Sequence, residues 1–483
     1  MVQTLKLSTL LQSLLAAAVA GELTKAQADQ LYQLGSEAVS LVGLAMSRRI
    51  VQLQARLNVA GPPSPSTPSG QVPIYTKPPA PQRRRRPGAR VGHKGVRRPT
   101  PAQIDRREEH RLEVCPCCGG PVQRCQRVRT RIIIDIPADI ATEATEHTIH
   151  RDYCPACNKH VEPVVPDALP NATVGHRLTA MTSWLHYGLG VSIEQVRSIL
   201  SGHLRTELTA GGLVSAWQRT ADIFMPWYQQ IAEQAKLSAV LHADETGWRV
   251  NGLTFWLWCF ANKHSCFYMI DRSRGGGALD KFFTETFDGV LVRDFWAAYD
   301  ALDVSEQQCC LVHLLRELEK VDLTNSSAEW KAFAKQLRRL VRDGIRLRKR
   351  ADFTPDKYAR RIVRIDQRLM ALARGAYADA DASRLAARLL KYCDSLFTFL
   401  DHPDVPFENN LAERMIRPAV LIRKNSQSNR SDKGAATQAV LMSVYRTLRL
   451  RGHNPMDLIA DALRTYLTTG QLPPLPAPVI ESG

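Results

Sequence analysis

A chain of 483 residues, 44% of them hydrophobic, exceeds what one hydrophobic core usually organises, so several domains are expected. Lys and Arg outnumber Asp and Glu by 64 to 47, and the formal charge of +17 fits a polyanion partner better than mere solubility. No run supplies the roughly 18 uninterrupted apolar residues of a transmembrane helix, which sets aside an integral membrane protein.

Residues 1–60 carry Leu31, Leu34, Val39, Leu41, Leu44, Ile50, Leu53 and Leu57 at helical spacing. Met1 to Ala20 superficially resembles a signal peptide. Gln12 and Ser13 interrupt it, however, and the helical pattern continues through Glu22, Lys25 and Asp29, so a cytoplasmic protein is expected. The arm suits oligomerisation or DNA binding, or equally a helical pair packed on its own protein. From 61 to 104 the composition changes to prolines followed by Arg83, Arg84, Arg85 and Arg86, with no acidic residue before the next domain. Such a stretch cannot bury enough apolar surface to order itself, and reads as a basic linker able to neutralise phosphates.

Residues 105–165 are built around cysteines. Cys115-x-x-Cys118 and Cys154-x-x-Cys157 each have Pro after the first Cys, with Gly119 or Asn158 placed for the tight turn. Four thiolates suit a closed, tetrahedral, structural zinc site. The 35 residues between Cys118 and Cys154 would be spanned by a hairpin from Val128 to His150. Cys117 competes as a ligand and Cys125 is spare; the bland alternative is two turns with free thiols. The 11 cysteines do not read as a disulfide framework.

Residues 166–236 read as a helical domain with core candidates such as Trp184, Val196, Leu200 and Trp217. A helix-turn-helix across Ser192–Val196 and Leu213–Trp217 is a weak signal beside simple helical packing. Residues 237–312 become strand-rich: 237–242, 254–260 and 265–270, then a helix over 278–287 and strands at 289–293 and 308–312. Three strands, a helix and another strand match the order of a ribonuclease H-like core. Residues 313–400 read as a helical insertion, 401–449 as the final core helices, and 450–483 as a C-terminal segment.

Three acids stand out in this frame. Asp244 in Leu241-His242-Ala243-Asp244-Glu245-Thr246 and Asp294 in Val292-Arg293-Asp294-Phe295-Trp296 each end an apolar run, while Glu413 in Asn409-Asn410-Leu411-Ala412-Glu413-Arg414 lies in a helical pattern. Two strand carboxylates and one helix carboxylate can hold two divalent cations, magnesium or manganese, about 4 Å apart for phosphodiester chemistry. Glu245 should point to the opposite face from Asp244. Asp271, Asp300 and Asp303 are rivals by position, and Glu408 competes with Glu413 but would sit at the fraying helix end. Arg414, Arg417, Arg423 and Lys424 supply cations suited to a phosphate backbone. Tyr299 lacks the Arg and His neighbours of a nucleophilic tyrosine. Cys310-x-x-His313, with Arg316, offers two ligands, too few for a metal, and reads as packing near the site.

At these residues the chain resembles the IS66 family of bacterial insertion-sequence transposases. The similarity covers His242-Ala243-Asp244-Glu245-Thr246, Asp294 to Tyr299, Cys310-x-x-His313 and Asn409-Asn410-x-Ala412-Glu413-Arg414-x-Ile416-Arg417-Pro418. It also covers Arg423-Lys424-Asn425, Gly92-His93-Lys94-Gly95, both Cys pairs and Gly452-His453-Asn454-Pro455. It implies a DDE transposase: metal-dependent hydrolysis at element ends, then attack of the freed 3′ hydroxyl on target DNA, with Asp244, Asp294 and Glu413 as catalytic acids. It further implies an N-terminal leucine-rich helix, a zinc-binding domain, a homo-oligomer on DNA and two accessory proteins encoded by the same element. After Lys424-Asn425 the family generally shows an aromatic pair, where this chain has Ser426-Gln427-Ser428. The alternatives are a ribonuclease H-like nuclease or resolvase without strand transfer, and a non-catalytic zinc-containing DNA-binding regulator.

Overall fold

The computed structural model describes the backbone of residues 2–20, 23–59, 101–114, 116–121, 130, 132–134 and 140–479. Arg83, Arg84, Arg85, Arg86, Cys115 and Cys125 therefore lie outside the described residues. The chain divides into two compact units, Met1–Pro79 with Gln307–Glu408, and Ala80–Glu306 with Asn409–Gly483. Among the described residues no helix is long and apolar enough to cross a membrane.

In the second unit a five-stranded sheet forms in the order β5-β4-β3-β6-β7. Strand β3 (Val240–Val250) pairs antiparallel with β4 (Leu253–Ala261), which pairs antiparallel with β5 (Cys266–Asp271). Helix α8 (Gly276–Phe282) then carries the chain across to β6 (Phe287–Arg293), which runs parallel to β3. At the other edge lies β7 (Val304–Cys309), through which the chain leaves for the first unit.

Strand β3 is longer than the expected 237–242 segment and runs eight residues beyond His242. Asp244 thus sits within a strand rather than at its end. Its polar residues from Asp244 to Arg249 conceal the strand from a search for apolar runs. The overlooked signal is Asn251-Gly252, which turns β3 into β4 with φ of 48° and 74°, as a two-residue hairpin turn of this kind requires. The helix expected over 278–287 stops at Phe282, and β7 falls at 304–309 rather than 308–312, because Cys310 caps the next helix. Residues 132–134 and 140–150 form no strand, so the hairpin expected from Val128 to His150 is absent where it is described.

Helices before and after the sheet cover it. Upstream are α4 (His176–Ser183), α5 (Ile193–Leu204), α6 (Ala210–Ile223) and α7 (Met225–Lys236); downstream are α13 (Asn410–Ser426), α14 (Asp432–Leu450) and α15 (Pro455–Thr469). Helix α5 starts on a capping box, in which Ser192 Oγ accepts from the Gln195 N–H and the Gln195 side chain accepts from the Ser192 N–H. Trp217 on α6 is fully buried and stacks on His186. The edge strand β5 is blunted by α14: the Cys266 N–H donates to Thr447 Oγ1 at 3.0 Å and the Tyr268 N–H to Ser443 Oγ at 2.9 Å. Phe260 and Phe282 stack at 3.9 Å, fixing α8 against the sheet.

The first unit holds a helical arm and the helices between β7 and α13. In the arm, α1 (Val2–Ala20), α2 (Lys25–Gln33) and α3 (Ser36–Val59) share a small core of Leu14, Ala18, Leu31, Ala38 and Val42. The other helices are α9 (Leu311–Asp322), α10 (Ala328–Arg348), α11 (Pro355–Ala373) and α12 (Ala380–Lys391). Buried Gln308 joins their ends, donating to Leu396 O and accepting from the Phe399 N–H. Glu317 on α9 accepts from Arg384 at 2.5 Å and from Arg388 on α12. Cys310 and His313 occupy the cap and first turn of α9, where the His313 N–H bonds Cys310 O at 3.1 Å.

Gly289 is the point of closest approach between β6 and the chain leading into β3. A methyl group there would lie 2.6 Å from Ser238 O and 3.0 Å from Ala239 O, so Gly289→Ala must push the strands apart. Urea unfolding of that variant is expected to show a loss of about 1–3 kcal/mol; an unchanged midpoint would mean the strands accommodate it.

Candidate functional site: a carboxylate cluster on the central strands

The parallel pairing of β3 with β6 runs Val240 to Val290, Leu241 to Leu291 and His242 to Val292. Asp244 and Asp294 each follow the last of these pairs by two residues, Asp294 just past the end of β6. Neighbouring strands lie about 4.8 Å apart, and equal register gives the two side chains the same facing. The strand pairing brings the two acids near enough for the Asp294 charge to act on the Asp244 carboxyl. Asp294 Oδ1 accepts the Trp296 N–H at 2.8 Å, and Asp244 Oδ1 the Glu245 N–H at 2.9 Å.

Helix α13 brings the third acid. Its cap residue Asn409 is buried and donates from Nδ2 to Ala243 O at 2.7 Å, while its Oδ1 lies 2.9 Å from His242 Nδ1. With the amide nitrogen committed to Ala243, the amide oxygen must accept, so His242 carries its proton on Nδ1. Burial pushes the His242 pKa down to about 4, against the hydrogen bond it donates to Asn409, and Arg414 lowers it further; the ring is neutral at physiological pH. Glu413 follows one turn into α13, its N–H bonded to Asn409 O at 3.1 Å. At the far end of the helix Arg423 donates to Thr246 Oγ1 at 3.0 Å and to Gly247 O, so α13 is tied along β3 at both ends.

Burial and neighbouring acids act together on these carboxyl groups. Burial first, then the charges of Glu245, Asp294 and Glu413, drive the Asp244 carboxyl well above its ordinary value of 3.8. Glu245 lies in an enclosed pocket rather than in solvent, and burial first, then the Asp294 charge, raise its pKa. Its side chain is 2% exposed and accepts from Arg274 at 2.8 and 3.1 Å and from Tyr299 at 2.9 Å. The Arg274 guanidinium lies 4.4 Å from the centre of the Trp256 ring and 3.8 Å from that of Trp296, whose indole N–H donates to Arg274 O. Burial foremost, and Glu245 next, keep the Tyr299 phenol protonated, which leaves it a donor rather than a nucleophile.

The rival acids are engaged elsewhere: Asp300 with Arg293 at 2.9 Å, Asp271 with Lys281 at 2.5 Å, and Asp303 with Thr286. Glu408 precedes α13 and belongs to the other unit. Among the expected DNA-contacting cations, Arg414, Arg417 and Lys424 are exposed, whereas Arg423 is half-buried and occupied with β3. Sequence reasoning overlooked the Arg274 clamp and the part played by Asn409. The latter's position as a helix cap was readable from Asn409-Asn410.

Cys154 and Cys157 adopt the expected turn. Cys154 and Cys157 lie in the turn joining β1 (Asp152–Cys154) to β2 (Lys159–Val161), with Asn158 at φ 51°. Around Cys118 the chain closes with a bridge from Val114 to Pro121, and Gly119 has φ 70°. Hydrogen bonds from the Cys157 backbone and side chain lower the Cys154 thiol pKa. With Cys115 outside the described residues, the four-sulfur set is not seen whole.

A family model described as the transposase IS66 family matches residues 171–437, a span that contains the carboxylate cluster. The chain belongs to the IS66 transposase family. Two curated proteins of Sinorhizobium fredii are similar to this transposase. The uncharacterized protein y4jD is 22% identical over 397 residues, covering 74% of this chain and 76% of y4jD. The uncharacterized protein y4qI is 24% identical over 307 residues, covering 56% of this chain and 53% of y4qI.

The raised Asp244 pKa sets a pH dependence. The unfolded carboxyl ionises near 3.8 and the folded one well above, so the folded state holds its proton longer, and stability falls as pH rises through that window. Asp244→Asn is therefore expected to raise the thermal midpoint at pH 7.5, and the gain should shrink towards pH 4. A variant destabilised at both pH values would show that the charge is already neutralised by the protein.

Proposed function

We propose that this transposase cuts DNA at the ends of its element and joins the freed strand to a target, with Asp244, Asp294 and Glu413 as its catalytic acids. The observation that carries the reading is the parallel pairing of β3 with β6, which ends two residues before Asp244 and Asp294, with Asn409 fastening the helix of Glu413 to the same strand. The strand order β5-β4-β3-β6-β7, with three antiparallel strands followed by β6 parallel to β3, supports a ribonuclease H-like core.

The donor set fits hard divalent cations such as magnesium or manganese: all oxygen, all acidic, and with Asp244 raised in pKa by burial first and then by its acidic neighbours. Bound there by Asp244, Asp294 and Glu413, such ions would supply Lewis-acid activation of the attacking oxygen and charge relief at the leaving one. The protein's own part is positioning. Arg274 and Tyr299 hold Glu245 and so fix the backbone that carries Asp244, while neutral His242 and Asn409 hold the N-terminus of α13. Exposed Arg414, Arg417 and Lys424 line the same helix as phosphate contacts.

In the first step a water oxygen bonds to phosphorus as the bond to the 3′ oxygen breaks, releasing a 3′ hydroxyl and a 5′ phosphate. In the second, that 3′ oxygen bonds to a target phosphorus and displaces the target's own 3′ oxygen, so one phosphodiester replaces another without oxidation or reduction. Asp294→Asn should retain binding to labelled element-end DNA but lose both nicking and joining in magnesium. Nicking without joining by the wild type would favour a nuclease, and full activity in the variant would remove Asp294 from the chemistry.

For the cysteine turns we propose one structural zinc held by Cys115, Cys118, Cys154 and Cys157. The left-handed residue after each second Cys and the lowered Cys154 thiol pKa support it. Metal analysis of purified Cys154→Ser should show the loss of about one zinc per chain; unchanged zinc would refute the site.

A further inference from the structure

We propose that the outer face of α10, in the helical segment between β7 and α13, is a docking surface for the phosphate backbone of duplex DNA. The proposal rests on DNA being the substrate, and concerns residues that the carboxylate site does not use. Lys331, Lys335, Arg339, Arg342, Arg346 and Lys349 follow one another at intervals of three or four residues. At 100° per residue they fall within an arc of roughly 80°, diametrically opposite the buried face formed by Phe333, Leu337, Leu340 and Gly344. The row is about 27 Å long, which matches about eight base pairs of a duplex. Asp343 sits beside the row rather than in it, where it accepts from Arg368 of α11 at 2.8 Å and comes within 4.0 Å of Arg339.

A solvated helix face would be the ordinary explanation, but such faces usually mix signs so that neighbours at i,i+4 attract. Here every successive pair, 331 with 335, 335 with 339, 339 with 342, 342 with 346 and 346 with 349, repels, and each works against the helix. Five other basic residues of the same unit are paired with acids: Arg338 with Asp322, Arg368 with Asp343, Arg350 with Asp352, and Arg384 and Arg388 with Glu317. By contrast Lys331, Lys335, Arg342, Arg346 and Lys349 are exposed and pair with no acidic side chain among the described residues. A row of like charges that opposes its own helix is relieved by a rod of opposite charge, and a straight line of cations with no aromatic residue between them suits a duplex backbone rather than unpaired bases.

The test compares full-length wild type with a Lys331→Gln, Lys335→Gln, Arg342→Gln, Arg346→Gln variant, binding element-end duplex across a salt series. The log–log salt slope should become shallower by about 3.6, about 0.9 per cation removed, so that the loss of affinity is largest at low salt and shrinks as salt rises. The thermal midpoint should hold or rise, since repulsion is removed. A charge-preserving exchange, Lys331→Arg, Lys335→Arg, Arg342→Lys and Arg346→Lys, should keep the wild-type slope. If wild type binds and the glutamine variant binds with the same slope, the docking surface is overturned while the transposase reading stands. A lowered midpoint would assign these residues to the helix's own stability, and a loss confined to poly-glutamate binding would assign them to an acidic protein; either overturns the proposal. Failure of wild type to bind any duplex would sink the DNA reading and this surface with it.

Discussion

The parallel pairing of β3 with β6 over three residues is the constraint from which the site follows. It requires α8 to carry the chain back to the start of β3, and a glycine at 289 to let the backbones meet. It also determines that an acid two residues beyond His242 stands beside an acid two residues beyond Val292. Any slip of one residue would turn one of the two carboxyl groups to the other side of the sheet. The hairpin with β4, nine residue pairs long, holds β3 in register from its other side.

Around this pair the protein separates two kinds of negative charge. Glu245 is enclosed and answered by Arg274 and Tyr299, as a buried carboxylate must be if it is not to destabilise the fold. Asp244 is left among other acids, with only a neighbouring N–H bond opposing its neutralisation. Both carboxyl groups are pushed up by burial and by neighbouring acids, but only Glu245 has a side-chain cation, Arg274, opposing the rise. Glu413 sits in the first turn of its helix, where the exposed N–H groups favour negative charge and a carboxylate costs little.

Much of this could be read from the residues, and the exceptions have physical causes. The apolar strands β4, β5 and β6 appear as continuous hydrophobic runs because both faces are covered. The helix bearing Glu413 is visible from the asparagine pair that caps it. The second half of β3 was hidden because its side chains serve the site and are polar, and β7 because an edge strand shows polar residues to its surroundings. Arg274 could not be found by spacing at all: its meaning comes from Trp256 and Trp296, which lie on different elements and meet only after folding. The basic row on α10 was present in the sequence, but its lack of acidic partners is a property of the folded helices.

The order of the acids along the chain also has a consequence in time. Asp244 and Asp294 belong to strands that can pair as soon as β6 is made, whereas Glu413 and its anchor Asn409 follow about 120 residues later. At synthesis rates of 5–20 residues per second, that delay is roughly 6–24 s. Throughout it the nascent sheet presents two acids and lacks the helix that completes the cluster. A chain cut short by premature termination anywhere in that interval would hold the sheet's acids without the third, so the arrangement makes an intact message a condition of a complete site.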